Sequence, residues 1–191
     1  MTRIAIRQLA ASDGPAVAFT FGRLSERSRY QRYFTTKQAL APRELRQLLD
    51  VDHWHHEALI AFSPPPRAPI GIARYVRMKE FDEAEVAIEV VDGWQRHGVG
   101  TALMAALTER AMRAGIFRFH LSMLRDNAGA RALARKFGPP TQAPNHPATA
   151  LAAAGNVVDL SYSLAGASSG PAGSSGPASG PPSPPTATGV G

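Results

Sequence analysis

Gln95-Arg96-His97-Gly98-Val99-Gly100-Thr101-Ala102-Leu103 stands between an alternating apolar segment and a long helical pattern. Two glycines at such a junction let backbone N–H groups turn toward a ligand without interference from a Cβ. The free amides of a first helical turn, with the positive end of the helix dipole behind them, make an anion site, and a pyrophosphate is its natural guest. Other phosphate loops fit poorly. A Walker A loop needs Gly-Lys-Ser/Thr, and Gly100 is followed by Thr101-Ala102. A dinucleotide fingerprint needs a third glycine where this chain has Leu103.

To either side of this stretch, strand and helix signals alternate. Gly98–Ala114 reads as the strongest helix, with Leu103, Leu107 and Ala111 on one face and Gly115 as its stop. Glu85–Val91 before it alternates as a strand and pairs through a turn near Glu80–Asp82 with Ile70–Met78. Ile116–Leu124 is a further strand, with Phe117, Phe119 and Leu121 on one side. Asn127–Phe137 is a second helix closed by Gly138, and Val157–Leu164 a last strand. Upstream, Arg3–Leu9 alternates as a half-buried strand, and Ser12 with Asp13 caps a helix through Ala16–Phe21. Ser25 caps turns through Tyr33, Pro42 opens a helix over Glu44–Leu49, and Ala58–Phe62 is a short apolar strand. This order predicts an α/β (α+β) single domain with a mixed central sheet flanked by helices, spanning residues 1–164.

Residues 165–191 differ in kind. Gly, Pro and Ser supply 19 of these 27 residues and none is charged, so the segment is expected to be a disordered tail. Pro139–Pro147 reads as an irregular connection. Hydrophobic residues make up 44% of the 191-residue chain and charged residues 19%, an ordinary globular balance. The chain has no Cys, which excludes a thiol nucleophile, a Cys-ligated metal and any disulfide. With no signal-peptide pattern and no apolar run of the ~18 residues a span requires, a cytoplasmic location is expected and a membrane is not. The net charge of +6, with a group at Arg23, Arg27, Arg29 and Arg32, serves a polyanionic cofactor as well as a nucleic acid. No nucleic-acid motif accompanies it, so nucleic acid is disfavoured. His53-Trp54-His55-His56-Glu57 lacks the convergent or i, i+4 spacing of zinc ligands, and no metal is expected.

Gln95 to Gly100 resembles the pyrophosphate loop of the GNAT superfamily of N-acetyltransferases. The resemblance runs from about Arg3 to Gly138. It includes Glu85 thirteen residues before Gly98, and Asn127-Ala128-Gly129-Ala130-Arg131-Ala132-Leu133, similar to the Asn-x-x-Ala-x-x-Leu of the helix that flanks CoA. A closer likeness is to bacterial protein lysine acetyltransferases of the Pat-like branch. It is carried by Leu24–Phe34, by Ile70–Arg77 and by Val91-Asp92-Gly93-Trp94-Gln95.

The resemblance implies the GNAT fold and an acetyl-CoA-dependent enzyme that transfers acetyl directly to a primary amine, a protein lysine before a small amine. A non-catalytic acyl-CoA-binding module is the alternative. It further implies Glu85 as general base, with Glu89 as runner-up and Arg74 or Arg77 as competing ion-pair partners. The edge amides of Val90 and Val91 would polarise the thioester carbonyl, and Arg96, His97, Gly98, Val99, Gly100, Thr101 and Asn127 would hold the cofactor. A carboxylate introduced by Gly100→Asp would then oppose the pyrophosphate. Where many relatives have a tyrosine to protonate the leaving thiolate, this chain has Ala134, so the general acid is unassigned.

Overall fold

The computed structural model describes residues 4–142 and 156–164. Its alternating segments join in one seven-stranded sheet. Strands β1 (Ala5–Gln8), β2 (His56–Phe62), β3 (Pro69–Arg77) and β4 (Glu83–Val90) form an antiparallel run. β4 then pairs parallel with β5 (Arg118–Leu124), and β5 pairs antiparallel with β7 (Val157–Ser163). The short β6 (Thr141–Gln142) lies outside β7, so part of the connection expected to be irregular is a strand. Helices α1 (Gly14–Gly22), α2 (Glu26–Tyr33) and α3 (Pro42–Leu49) fall between β1 and β2. α4 (Val99–Arg113) crosses from β4 to β5, as a parallel pair requires. α5 (Ala128–Ala134) follows β5.

The sheet is covered on both faces. α4 buries Leu103, Leu107 and Ala111, spaced four apart, against Leu59, Ala73, Tyr75 and Val86. Each large apolar side chain buried there contributes roughly 1.5–3 kcal/mol. The opposite face carries a smaller cluster of Leu9, Ala58, Ile60 and Ile72 with Val17 of α1, flanked by Leu45 and Leu48 of α3. Cap chemistry largely follows the sequence. The Ser25 hydroxyl accepts the Ser28 N–H at 3.2 Å, and Pro42 opens α3. Asp13 stands at the N-cap of α1, but its carboxylate accepts the Ala10 N–H at 2.8 Å and the Arg7 guanidinium at 2.6 and 2.8 Å instead of helix amides.

One strand begins later than its alternation suggests. β5 opens at Arg118, and Phe117 is 49% exposed while Phe119 is 1% exposed. Gly115, with φ of 77°, ends the α4 connection. Ile116 then takes the buried place, and the Phe117 N–H bonds Asp82 O at 2.7 Å. The expected tail, 165–191, lies outside the described residues.

These environments separate two neighbouring phenylalanines. In urea unfolding, Phe119→Ala should lower stability by about 3–5 kcal/mol. Phe117→Ala should cost less than about 1 kcal/mol.

Candidate active site

β4 and β5 stay in register for three pairs only, Glu83 with Arg118, Ala84 with Phe119 and Glu85 with His120. Beyond Glu85, β4 continues with β3 to Val90, and β5 continues with β7 to Leu124. The two strands therefore part at Glu85 and leave a gap between them. The backbone of β4 that borders the gap can be read from the ladder. The Val91 N–H donates to Ile70 O at 2.9 Å, and in an antiparallel pair such bonds alternate along the strand. Val90, opposite Gly71, therefore turns its N–H and C=O away from β3 and toward the gap, where its carbonyl accepts Gln95 Nε2 at 3.1 Å. This corrects one expectation: the Val91 amide is committed to β3, and of the two only Val90 turns its N–H to the edge.

Glu85 is exposed and stands between Val76 of β3 and His120 of β5. Among the described residues it has no hydrogen-bond or ion-pair partner. The arginines that compete for it go elsewhere. Arg77 donates to the carbonyls of Phe81 and Ala114. Arg74 is buried and donates to Leu48 O at 3.3 Å. Its guanidinium pKa is brought down to about 10 by burial and by neighbouring Arg32, against the opposing pull of Glu89.

Glu89, the other carboxylate considered, is buried, with its Oε2 occupied and its Oε1 without a hydrogen-bond partner among the described residues. It accepts the Tyr33 hydroxyl at 3.0 Å and lies 3.6 Å from Arg32 Nε. Burial and the adjacent Glu89 push the Tyr33 phenol well above its ordinary range, so it stays a donor. A third carboxylate, Glu83, pairs with His120 Nε2 at 2.6 Å and with Arg118. Burial alone would raise its pKa, but these two partners hold it below the usual range.

The loop before α4 takes the form its glycines suggest. Arg96 and Gly98 both adopt left-handed conformations, with φ of 61° and 83°; the second is a conformation that glycine adopts freely. The Ala102 N–H reaches back to Gly98 O at 3.0 Å, so the amides of Val99, Gly100 and Thr101 precede the first helical bond and have no intrahelical acceptor. His97 Nδ1 donates to Gln95 O at 2.7 Å, with its ring beside Trp94. Asn127 uses its carboxamide oxygen to cap α5, accepting the Ala130 N–H at 3.0 Å, which leaves its NH2 group to donate elsewhere.

A cation escaped the sequence reading. Lys136, in the single turn Arg135–Phe137 after α5, donates to Thr101 Oγ1 at 2.9 Å. An ammonium beside the positive end of a helix is unfavourable unless an anion joins them. The histidine-rich segment resolves into separate pairs: His53 with Glu57, His55 with Asp52, and His56 with Asp50 O. Among the described residues no group of three or more His, Cys, Asp or Glu side chains converges as metal ligands. No helix among them is long and apolar enough to cross a membrane.

Residues 26–138 match the acetyltransferase (GNAT) family. The chain belongs to that family. It is 30% identical over 132 residues to an acetyltransferase of Pseudomonas aeruginosa, a match covering 68% of this chain and 69% of that protein. It is 34% identical over 95 residues to the acetyltransferase Pat of Mycolicibacterium smegmatis, covering 49% of this chain and 28% of that much longer protein. Among solved structures, the GNAT domain of S. lividans PAT superposes with a TM-score of 0.72 at 25% identity, covering 83% of this chain and 89% of that one. These relatives place the chain in the Pat-like branch. The PaiA N-acetyltransferase of Thermoplasma acidophilum, solved with coenzyme A, shares the fold at a TM-score of 0.64 and 14% identity, covering 84% of this chain and 99% of that one.

As a GNAT acetyltransferase, the protein uses acetyl-CoA as its acyl donor. Its structure brings Glu85, the Val90 amide and the loop from Arg96 to Thr101 to the two ends of one opening. The Gly100 amide stays among the free first-turn donors, but a side chain at this position has a different effect from the one expected. A Cβ built there meets Leu133 Cδ2 at 3.4 Å, Ile88 Cδ1 at 3.7 Å and Val90 Cγ2 at 3.8 Å, so a side chain would enter apolar packing and not the anion site. Gly100→Asp should therefore destabilise the fold by about 2 kcal/mol or more, by burying a carboxylate. Gly100→Ala should be neutral or stabilising by up to about 1 kcal/mol. Thermal unfolding of the two variants checks both values.

Proposed function

We propose that the protein transfers acetyl from acetyl-CoA directly to the side-chain amine of a protein lysine, with Glu85 as general base. One observation carries this reading: Glu85 is the exposed, unpartnered carboxylate at the point where β4 and β5 part. The first-turn amides of α4, with Lys136 and Arg96, suit the phosphates of CoA. The Asn127 NH2 group suits the arm that follows. The Val90 N–H is aimed into the gap, where it would stabilise charge developing on a carbonyl oxygen. Bound acetyl-CoA supplies an activated thioester.

The acceptor must first lose a proton. Neutralising a lysine of pKa ~10.4 at pH 7 costs roughly 4–5 kcal/mol. Glu85 takes that proton, directly or through one water, and the neutral nitrogen then attacks. Without a cysteine no acyl-enzyme forms on sulfur. Ala134 is buried at the tyrosine position and offers no acid, so the leaving thiolate, with a reference thiol pKa of ~8.5, departs without a dedicated one. The acceptor class is supported by the Pat-like relatives and by the openness of the face around Glu85. Val76, its cross-strand neighbour, is 48% exposed, leaving room for a lysine presented on another protein.

Labelled acetyl-CoA, incubated with a cell lysate and enzyme and then fractionated, tests the proposal. Label should enter the protein fraction, and Glu85→Gln should reduce the rate ~10²–10⁴-fold with acetyl-CoA affinity nearly unchanged. Label confined to small molecules would make the enzyme a small-amine acetyltransferase. Equal turnover by Glu85→Gln would remove Glu85 as base, and no turnover by the wild type would favour a CoA-binding module.

A further inference from the structure

α2 carries no fully buried side chain, and its aromatic anchor is the half-buried Tyr33, whose ring meets Phe21 edge-on at 5.6 Å. Polar ties at its two ends add to that contact, and both sets lead to the segment that ends β4 and enters the cofactor loop. At its C-terminal end, Tyr33 and Arg32 reach Glu89. At its N-terminal end, the Asp92 carboxylate accepts the Ser25 N–H at 2.8 Å, the Ser25 hydroxyl at 2.7 Å and the Ser28 hydroxyl at 2.9 Å. Gln95 completes the tie. Its Nε2 donates to Ser28 Oγ and to Val90 O, both at 3.1 Å, so one amide joins α2 to the residue whose N–H faces the gap. The contacts of Asp92 and Gln95 with Ser25 and Ser28 link positions more than sixty residues apart in the chain.

We infer that Asp92 and Gln95 are positioning residues that couple cofactor binding to α2: filling the cofactor loop fixes α2, which packs on β4 at Glu89, four residues from Glu85. The inference rests on the proposed use of the Arg96–Thr101 loop for CoA. Asp92, Gly93 and Trp94 form the single turn immediately before that loop, so restraint of the loop by a bound pyrophosphate passes directly to the Asp92 carboxylate. That carboxylate stays charged and able to accept: burial alone would raise its pKa, but hydrogen bonds from Ser25 and Ser28 bring it below the usual range. Coupling of this kind is reciprocal, so an ordered α2 also favours cofactor binding.

Hydrogen exchange of the full chain with and without saturating coenzyme A tests the coupling without knowledge of the acceptor. In the wild type, CoA should slow exchange of the Glu26–Tyr33 amides by about fivefold or more, with Gly14–Gly22 as internal reference. In Asp92→Asn, and independently in Ser28→Ala, the slowing should fall below about twofold although CoA still binds and saturates. A merely structural tie would instead raise α2 exchange equally with and without CoA. CoA binding that leaves wild-type α2 exchange unchanged, or variants that respond as the wild type does, would overturn the coupling alone. Failure of the wild type to bind CoA would overturn the loop assignment and the coupling together.

Discussion

The parting of β4 from β5 after a three-pair parallel register is the constraint on which the site depends. Each strand has a long antiparallel partner on its other side, β3 for β4 and β7 for β5, and those partnerships persist where the parallel one ends. A backbone N–H left without a strand partner must be met by other means. The Val90 amide beside the gap is such a group, and a ligand carbonyl is a suitable acceptor for it. The same opening has a free carboxylate on one face of β4 and a helix N-terminus beyond its end, the two groups that the proposed mechanism uses.

The carboxylates of the sheet are sorted by partner. Glu57 is buried with Gln8, His53 and Arg110. Glu83 belongs to His120 and Arg118, and Glu89 to Tyr33 and Arg32. Arg74 lies opposite Ala87, with Glu85 and Glu89 two residues to either side on β4, and its guanidinium donates to Leu48 O and not to Glu85. Buried carboxylates need such pairing because desolvation of an isolated charge is expensive. Glu85 is exposed and needs no partner to be stable. That freedom fits it to accept a proton.

Much of this was legible in the residues. The two glycines after a strand and before a long amphipathic pattern located the loop, because they permit the turn and leave the first-turn amides open to a ligand. Periodicity found β3, β4, α4 and β7 to within a residue or two. What escaped was set by tertiary contact. Alternation grouped Phe117 with Phe119, but the turn at Gly115 and the bond to Asp82 start β5 at Arg118, two residues later than expected. No local pattern announces that the Val91 amide is held by Ile70, that Gly100 faces Leu133, or that Lys136 returns to Thr101 from 35 residues away. Glu85 and Glu89 share a strand face, and their spacing does not separate them. Only the approach of α2, through Tyr33 and Arg32, distinguishes the two.

If the β4–β5 opening receives the thioester between Val90 and Glu85, a crystal structure with coenzyme A or a non-hydrolysable acetyl-CoA analogue will show it. The pyrophosphate should lie on the first-turn amides of α4, and the acyl carbonyl within hydrogen-bond distance of the Val90 N–H. Glu85 should face the acyl carbon across the open side of the sheet. An acyl arm lying outside the opening, or a Val90 N–H directed away from the carbonyl, would contradict this use of the gap.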